Sequence, residues 1–384
     1  MKILRTIHSM DPSKGGPVEG TLNSSRELRR RGVSVEIACL DDPSAPFLEG
    51  IDLKVHALGP GLGKYGYART FQQWLDHHVA DYDCVIVQGL WQYHGFATRR
   101  ACIKKRIPYF VFAHGMLSPW FKNQYPLKHL KKWLYWPWGD YRVLRDAQGV
   151  FFTTEEEMES SRESFWLYRC NEHVVGYGIE MPDVDGPAQR RSFLSAFPQL
   201  EGKSFFLFLS RIHPIKGCDL LIRAFAGVAT RHSEWQLVVA GPDQIGWQNG
   251  LMNDCPKHGI SHKVHWVGML TGDRKWGAFQ ACNAFVLPSH HENFGVVVAE
   301  ALSQGAPVLI TDKVSIWPTV KSTGAGLVAT DDLEGITQLL DDYAVKIHDG
   351  KPISRETARR CFIEHFEIKA AATKLIQTIE QHVH

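Results

Sequence analysis

The sequence predicts an α/β protein with two doubly wound domains, each built on a parallel sheet. Short β-branched or apolar runs alternate with longer amphipathic stretches, and the alternation begins again in the second half of the chain. This pattern is typical of a parallel sheet that is covered by helices on both faces. The length of 384 residues is enough for two domains that each bury a core.

The first half predicts an N-terminal domain over residues 1–178. Its apolar runs predict the strands Lys2–Ile7, Val33–Cys39, Leu53–Ala57, Cys84–Gln88, Tyr109–Ala113 and Val150–Thr153. The amphipathic stretch Val18–Arg31 predicts a helix between the first two strands. The segment Gly176-Tyr-Gly-Ile-Glu-Met-Pro182 combines glycine and proline and predicts a linker.

The second half predicts a C-terminal domain over residues 179–363, followed by a helix over 364–384 that packs back towards the N-terminal domain. The predicted strands are Phe205–Ser210, Gln236–Ala240, Lys263–Val267, Ala284–Leu287, Pro307–Ile310 and Gly326–Ala329. Ligands of such sheets bind at the carboxyl ends of the strands. Two facing sheets would therefore hold their ligand in a cleft between the domains.

Composition excludes several classes of protein. No apolar run reaches the ~18–20 residues of a membrane span, and the N-terminus becomes polar too soon for a secretory signal. The eight cysteines form no C-x-x-C pair, which favours a reducing cytoplasm. A net charge of +2 is far less basic than nucleic-acid binding usually demands. We expect a cytoplasmic protein without a nucleic-acid partner.

The segment Ser210-Arg-Ile-His-Pro-Ile-Lys-Gly217 follows the first strand of the second domain. Arg211 and Lys216 lie five residues apart, just beyond a strand end, so both can reach one cleft. They would neutralise a diphosphate, including the charge that grows as a diphosphate leaves. The alternative interpretation is that both are solvated surface cations.

The segment His291-Glu-Asn-Phe-Gly295 precedes a predicted helix, Val296–Ser303. Backbone amides at that helix start, with Gly295 allowing close approach, suit an anionic or polyhydroxyl ligand. Glu292 lies in the loop, and Glu300 lies in an almost wholly apolar helix, where a lone carboxylate needs a partner. The two glutamates could reach opposite ends of one ligand.

Two features of the first domain also lie at predicted strand ends. Gly15 and Gly16, within Asp11-Pro-Ser-Lys-Gly-Gly-Pro17, let the backbone pass close to a phosphate, although a tight strand-to-helix turn explains them as well. His114 ends an apolar strand and precedes a glycine, a position that suits a cleft. Its alternative interpretation is a core histidine with satisfied hydrogen bonds.

Taken together, these motifs resemble the family 4 glycosyltransferases, which are retaining enzymes with the GT-B fold. The resemblance depends on the Arg/Lys pair, on the E-x₇-E spacing of Glu292 and Glu300, on Ala240-Gly-Pro-Asp243 and on Phe112-Ala-His-Gly115. It spans nearly the whole chain, with the motifs in the right order. Each motif is weak alone, and the combination is quite specific.

The resemblance implies a role for each motif in binding a nucleotide-diphosphate sugar. Arg211 and Lys216 would hold the donor diphosphate, Glu300 would bind the ribose hydroxyls, and the backbone near Val267 would contact the base. The donor is then a UDP-sugar or a GDP-sugar.

The resemblance also implies which residues surround the transferred hexose. Glu292 and the amides of Asn293, Phe294 and Gly295 would grip the donor sugar. The Gly15–Gly16 loop would lie against the donor phosphates or an acceptor, and His114 would contact the donor sugar or the transition state. A retaining enzyme needs no general base for an attacking acceptor, so His114 is not assigned that role.

Retention in this class is described as front-face attack, with neither a cofactor nor a metal ion. Asp81-Tyr-Asp83 and Asp183-Val-Asp185 match the D-x-D of metal-dependent transferases, but helix caps or linker charges explain them better. His290-His-Glu292 offers no third ligand, and adjacent histidines point in different directions. We therefore expect a metal-independent hexosyltransferase with a saccharide acceptor.

Other functions remain open at this point. A sugar-nucleotide epimerase of the same fold would form product without an acceptor. A nicotinamide-dependent oxidoreductase would depend on Gly61-Leu-Gly-Lys-Tyr-Gly66, which follows the third predicted strand rather than the first. A non-catalytic sugar-binding protein would not need both cations of the Arg/Lys pair.

The stretch Trp120–Arg145 mixes six cations with eight aromatic residues and one acid, Asp140. Such a mixture suits the interface of an anionic membrane, where aromatic rings lie at headgroup depth. The acceptor could then be a lipid-linked saccharide at the cytoplasmic face, as in exopolysaccharide or lipopolysaccharide assembly. Alternatively, the aromatic residues cover the first sheet and the lysines form a solvated face, because Pro126 and Pro137 interrupt any long helix.

Overall fold

The computed structural model describes residues 1–182 and 185–383, apart from the side chains of Phe121 and Asn123. These residues divide into two compact units. The first comprises Met1–Glu180 together with the segment from Ile368 onward, and the second comprises Met181–Glu367. Each unit contains one parallel sheet with helices, so the prediction of two doubly wound α/β domains is confirmed.

The strands, in chain order, are β1 (Lys2–Ile7), β2 (Ser34–Cys39), β3 (Lys54–Ala57), β4 (Cys84–Gln88), β5 (Tyr109–Phe112), β6 (Gly149–Phe152), β7 (Glu172–Val174), β8 (Ser204–Leu209), β9 (Trp235–Ala240), β10 (Val264–Gly268), β11 (Ala284–Leu287), β12 (Val308–Thr311) and β13 (Gly326–Ala329). Each predicted strand is present, and no end differs from its prediction by more than one residue. Strand β7 was not predicted, because three residues that include Glu172 and His173 form no apolar run.

The helices, in chain order, are α1 (Gly16–Arg30), α2 (Arg69–His78), α3 (Tyr93–Lys105), α4 (Trp120–Gln124), α5 (Pro126–Tyr135), α6 (Asp140–Arg145), α7 (Glu155–Ser161), α8 (Gly186–Ala196), α9 (Cys218–Arg231), α10 (Gln248–Asp254), α11 (Gly272–Ala281), α12 (Val296–Ser303), α13 (Trp317–Thr323), α14 (Leu333–His348), α15 (Arg355–His365) and α16 (Ile368–Glu380). Among the described residues, no helix is both long and apolar enough to cross a membrane.

The first unit has the sheet order β3-β2-β1-β4-β5-β6-β7, and all its strand pairs are parallel. The order reverses between β1 and β4, so the loops that follow these two strands diverge and leave a crevice. Helix α16 packs on this unit through Ala372, Leu375 and Ile379, which share a buried cluster with Ile3 and Leu28.

The second unit has the order β10-β9-β8-β11-β12-β13, again with parallel pairs. The central strands β8 and β11 are almost wholly buried and read as continuous apolar runs, as expected for a sheet that is covered on both faces. The order reverses between β8 and β11. A ligand is therefore expected beyond the carboxyl ends of these two strands.

Candidate active site

The two loops at the switch point of the second sheet are held together by a close backbone contact. Gly217 ends the loop after β8 in the left-handed region, with φ 67°. A Cβ at this position would collide with the carbonyl oxygen of Pro288, which begins the loop after β11. Glycine is needed here for both reasons, and the contact places the side chains of the two loops side by side.

The ion pair between Lys216 and Glu292 joins these loops. The Nζ of Lys216 donates to Oε2 of Glu292. Lys216 is 7% exposed, whereas the Glu292 side chain keeps 22% of its surface in contact with solvent. Two residues that the sequence assigned to different parts of one ligand therefore meet at the switch point. A ligand that reaches this point must compete with an existing charge pair.

Arg211 lies apart from that ion pair. Its side chain is exposed, and Nη1 donates to Oε1 of Gln244 at 3.2 Å. Gln244 belongs to the loop after β9, in which the carboxylate of Asp243 accepts from the amides of Trp247 at 2.9 Å and Gln248 at 3.0 Å. The motif Ala240-Gly-Pro-Asp243 therefore shapes a loop, and Arg211 at its edge can turn towards a ligand.

The loop before α12 is fixed through its backbone. The amide of Glu292 donates to the carbonyl of Lys313 at 2.9 Å, and its carbonyl accepts from the amide of Ser315 at 3.1 Å. Gly295 then adopts φ 82° and caps the helix. These hydrogen bonds therefore hold the loop backbone in place at Glu292.

The side chains of this loop have different surroundings. Phe294 is 5% exposed, and its ring packs edge-on against Phe366, with 5.7 Å between centroids. The buried ring leaves the backbone amide as the group of Phe294 that could contact a ligand, and this contact stays a prediction. Asn293 is partly exposed.

Glu300 is 8% exposed within α12, and it does have the partner that its apolar helix requires. The Nζ of Lys275, on α11, donates to Oε1 of Glu300 at 2.7 Å. Lys275 was not predicted from the sequence, because it belongs to no motif and lies 25 residues before Glu300 along the chain.

Val267 lies at an irregularity of β10. Trp266 pairs with Val239 and Gly268 with Ala240, so the register skips Val267 as the extra residue of a β-bulge. Bulges of this kind turn backbone groups away from the sheet and are frequent beside active sites. The predicted contact to a base therefore falls at a place where the backbone leaves the regular ladder.

In the first unit, Gly15 and Gly16 form the exposed start of α1. Gly15 adopts φ 82°, and no atom lies within 4 Å of a Cβ added at either glycine. The hydroxyl of Tyr177 donates to the carbonyl of Gly16 at 2.8 Å and fixes this turn. The space around both glycines is open, as a loop that approaches a ligand requires.

His114 follows β5 in the left-handed region, with φ 50°. Its Nε2 lies 2.7 Å from Oε1 of Gln88, and its ring stacks on Phe112 with 4.6 Å between centroids. Because Gln88 Oε1 can only accept, Nε2 carries the hydrogen. Burial lowers the pKa of His114 to about 3, and the nearby Arg5 guanidinium adds to this effect. His114 is therefore neutral at physiological pH and acts through hydrogen bonds rather than charge.

The glycine-rich segment Gly61–Gly66 forms a turn that packs against His8. Leu62 and Tyr67 form an antiparallel bridge, so the segment is a tight turn before α2 rather than the opening of a helix. A Cβ on Gly66 would lie 2.7 Å from the His8 ring. This geometry does not match a dinucleotide fingerprint, which opens a helix directly after a strand.

Asp83 and Asp185 of the acidic motifs accept hydrogen bonds from backbone amides. Asp83 accepts from the Lys2 amide at 2.6 Å, and Asp185 caps α8, whereas Asp183 lies outside the described residues. The ring of His290 pairs with Asp331 at 3.0 Å, away from Glu292. Within the described part of the chain, no group of three His, Cys, Asp or Glu side chains is placed to hold a metal ion. Metal independence stays a prediction.

The two Rossmann-like units define the chain as a doubly wound α/β protein with an ion pair at the switch point of its second sheet. Profiles of known families agree with this class. Residues 15–178 match the glycosyl transferase 4-like domain, and residues 191–349 match the glycosyl transferases group 1. The chain belongs to the family 4 type of glycosyltransferase, as the motifs predicted.

Individual relatives are similar to parts of this chain. A D-inositol 3-phosphate glycosyltransferase of Mycolicibacterium paratuberculosis is 27% identical over 83% of this chain and 75% of its own length. The equivalent protein of Nocardia farcinica is also 27% identical, over 50% of this chain, and the match spans less than half (43%) of that relative. Both are glycosyltransferases, which agrees with the family.

The fold is shared with a solved structure. Anabaena HepE, in complex with UDP and glucose, superimposes with a TM-score of 0.76 and 18% identity over 99% of this chain and 100% of its own. This similarity shows that the chain has the GT-B fold.

Proposed function

We propose that the protein is a retaining, metal-independent hexosyltransferase that uses a UDP-sugar as donor. The observation that carries the proposal is the Lys216–Glu292 ion pair at the switch point of the second sheet. A cation and a carboxylate that are held together there provide one group for a diphosphate and one for sugar hydroxyls. A protein that only bound a neutral sugar would not need the cation.

Donor binding would proceed by exchange of partners. The donor diphosphate carries more negative charge than the single carboxylate of Glu292, so it would draw Lys216 away from that carboxylate. Arg211 is exposed at the edge of the same loop and would add a second cation in place of its contact with Gln244. The carboxylate of Glu292 would then be released to accept hydrogen bonds from the hexose.

The nucleoside would lie further along the same sheet edge. Glu300 lies on α12, the helix that follows the amides of Asn293–Gly295. The hydrogen bond from Lys275 holds the Glu300 carboxylate in one orientation. A ribose is recognised by an acceptor for its two hydroxyl groups, and Glu300 would provide that acceptor. The bulge at Val267 would offer backbone groups to the base.

Chemistry would require stabilisation of charge rather than a protein nucleophile. The bond from the anomeric carbon to the diphosphate oxygen breaks, the acceptor oxygen attacks from the same face, and the leaving diphosphate takes the acceptor's proton. Lys216 and Arg211 would stabilise the growing negative charge, which such preorganised groups do most effectively in the transition state. His114 would contribute a neutral hydrogen bond to the reacting sugar.

A UDP-sugar is favoured over a GDP-sugar, because HepE, which shares the fold, binds UDP and glucose. The test is an acceptor-free hydrolysis screen of UDP- and GDP-hexoses, with released nucleotide as the readout. The proposal expects slow release of UDP from at least one hexose, unchanged by EDTA. Release of GDP alone would overturn the choice of base, and a full loss with EDTA would overturn metal independence.

The same screen separates the alternative functions. A sugar-nucleotide epimerase would convert one UDP-hexose into its epimer with no acceptor, and NMR would detect the new sugar nucleotide. NADH titration with fluorescence detection would reveal a nicotinamide site, which the turn geometry of Gly61–Gly66 disfavours.

For the acceptor, we propose a lipid-linked saccharide at the cytoplasmic face of an anionic membrane. The support is helix α5, which has no buried residue. Its leucines form one stripe that faces solvent, with exposures of 78% for Leu127, 54% for Leu130 and 62% for Leu134. Trp133 and Trp138 extend this stripe at 42% and 67% exposure. Five large apolar side chains in contact with water are typical of an interaction site rather than of an ordinary surface.

Cations border this stripe. Lys122, Lys128 and Lys131 are exposed, and the Nζ of Lys128 lies 4.7 Å from the centre of the Tyr125 ring. Lys132 instead turns inward, with its Nζ 4.3 Å from the centre of the Trp91 ring. Three outward lysines near an anionic leaflet contribute up to ~3 kcal/mol, which favours reversible binding. Trp136 of the same segment is instead fully buried in the core of the first unit.

The membrane proposal is tested by sedimentation with vesicles of phosphatidylcholine and phosphatidylserine, at low and high salt. Replacing both Lys128 and Lys131 by glutamate should abolish binding, since the change reverses two charges beside the leucine stripe. The matched control replaces the exposed Lys104 and Lys105 of α3 and should bind like wild type. Equal loss of binding in both variants would show that binding depends only on the net charge of the protein, which would contradict a site at α5. No binding of wild type to anionic vesicles at low salt would also contradict the proposal.

A further inference from the structure

A lysine on helix α11 contacts the carboxylate that is proposed to bind the ribose. The Nζ of Lys275 donates to Oε1 of Glu300 at 2.7 Å. The side chain of Glu300 is 11% exposed and that of Lys275 is 24% exposed, so the pair is largely shielded from solvent. A hydrogen bond between opposite charges is roughly twice as strong as a neutral one. Lys275 therefore holds one oxygen of this carboxylate in place.

The fold brings Lys275 to the ligand-binding edge of the second sheet. Helix α11 follows β10, which carries the bulge at Val267, and α12 follows β11. Lys275 lies in the first turn of α11, and Glu300 lies in the second turn of α12. Helices that follow parallel strands begin at the edge where ligands bind. Lys275 thus lies at the same edge of the sheet as the predicted contacts to the base and the ribose.

Other contacts hold α11 and α12 together. The Nε2 of Gln280 donates to Oε1 of Gln304 at 2.8 Å, further along both helices. Arg355, at the start of α15, donates to the carbonyl of Gln280 at 2.9 Å and to that of Gln304 at 3.3 Å. The position of the two helices therefore does not depend on Lys275 alone. What depends on Lys275 is the orientation of the Glu300 carboxylate.

This orientation matters because the end of a glutamate side chain rotates easily. The last torsion of glutamate has broad minima, whereas the two hydroxyl groups of a ribose have a fixed geometry. A carboxylate that is already oriented loses less conformational freedom when the ribose binds, which increases affinity. The ammonium is restrained as well, because the Nζ of Lys275 lies 4.8 Å from the centre of the Trp276 ring.

We propose that Lys275 is a positioning residue that makes the donor site selective for a ribonucleotide over a 2′-deoxyribonucleotide. This role rests on the proposed function, in which Glu300 accepts hydrogen bonds from the ribose. Lys275 turns the carboxylate towards the 2′-hydroxyl and does not touch the nucleotide itself. A nucleotide that lacks this hydroxyl leaves a buried, charged acceptor unsatisfied, which weakens its binding.

The test compares the Kd of UDP with that of 2′-deoxy-UDP by calorimetry. A lysine with a merely structural role would change both constants equally and leave their ratio unchanged. We expect wild type to prefer UDP by about tenfold or more, and Lys275→Met to reduce this preference to about threefold or less. The matched control, Gln280→Met, breaks the neighbouring hydrogen bond between the same helices and should keep the wild-type ratio.

Glu300→Gln separates this role of Lys275 from the proposed function. The variant should also lose the preference for UDP. A wild type without preference, or a Glu300→Gln variant that keeps it, would overturn the ribose contact of Glu300 and the role of Lys275 with it. Loss of the preference in Glu300→Gln but not in Lys275→Met would overturn the role of Lys275 alone.

The double variant Lys275→Met/Glu300→Gln leaves no unpaired carboxylate, so it decides the question if Lys275→Met fails to fold. Because Lys275 acts through Glu300, the double variant should bind UDP as tightly as Glu300→Gln alone. A further loss of affinity of more than about threefold would show that Lys275 contacts the nucleotide directly, which would overturn its role as a positioning residue.

Discussion

The Lys216–Glu292 ion pair allows the proposed function to be tested by replacing one ammonium group, that of Lys216. Lys216→Met removes the ammonium and retains a side chain of similar length. In the wild type, a buried ammonium about 4 Å from a phosphate charge contributes roughly 4 kcal/mol at an effective dielectric constant of 20. Part of this attraction replaces the ion pair that Lys216 makes with Glu292 in the free protein, so we expect kcat/KM to fall by about 10²–10³.

The assay is release of UDP from the donor that the hydrolysis screen identifies, measured as initial rate against donor concentration. Lys203→Met is the matched control, because Lys203 is an exposed lysine of the same unit, and it should retain wild-type activity. Circular dichroism and Tm establish that both variants fold.

Glu292 completes this test. Glu292→Gln should lower kcat more than it weakens UDP binding, because the side chain is proposed to contact the hexose and not the nucleotide. Lys216→Met should affect both quantities. Activity of Lys216→Met within threefold of wild type would refute the reasoning, since no diphosphate would then depend on this charge.

Three further changes test other parts of the structure. Glu300→Gln should weaken binding of free UDP at least tenfold by calorimetry, because the ribose loses its carboxylate acceptor. Gly217→Ala should lower Tm far more than Gly202→Ala, which has a similar φ of 69° but open space around it. Burial raises the pKa of Asp140 to about 7, so its carboxyl group destabilises the fold as pH rises from about 4 to 7. The free energy of unfolding of Asp140→Asn, measured in urea, should therefore rise relative to that of wild type by up to roughly 3 kcal/mol from pH 5 to pH 8.

The central strands of both units were predictable because they are buried apolar runs, and burial on both faces leaves little choice of residue. The three-residue strand β7 has no such run, and pairing with β6 alone creates it. The motifs at the strand ends were also predictable, since the carboxyl ends of parallel strands lie at one edge of a sheet. The contacts between individual residues of these motifs were not predictable.

Lys275 shows why the contacts could not be predicted. It lies on α11 and meets Glu300 of α12 only because the two helices pack side by side, which no local pattern records. Arg5 is a second example. A charged residue in the middle of an apolar strand is visible in the sequence, but its hydrogen bond to Ser24 depends on how α1 packs against β1. Sequence patterns identify chemical groups, whereas packing determines which groups meet.

The central claim is that this chain transfers a hexose with retention, and the anomer released in the absence of acceptor tests it most directly. In the hydrolysis of a UDP-α-hexose, water takes the place of the acceptor, and ¹H NMR during the first minutes distinguishes the products before mutarotation mixes them. Front-face attack predicts the α-anomer as the first product, formed by wild type and lost in Lys216→Met. Appearance of the β-anomer first would contradict retention and the account that depends on it.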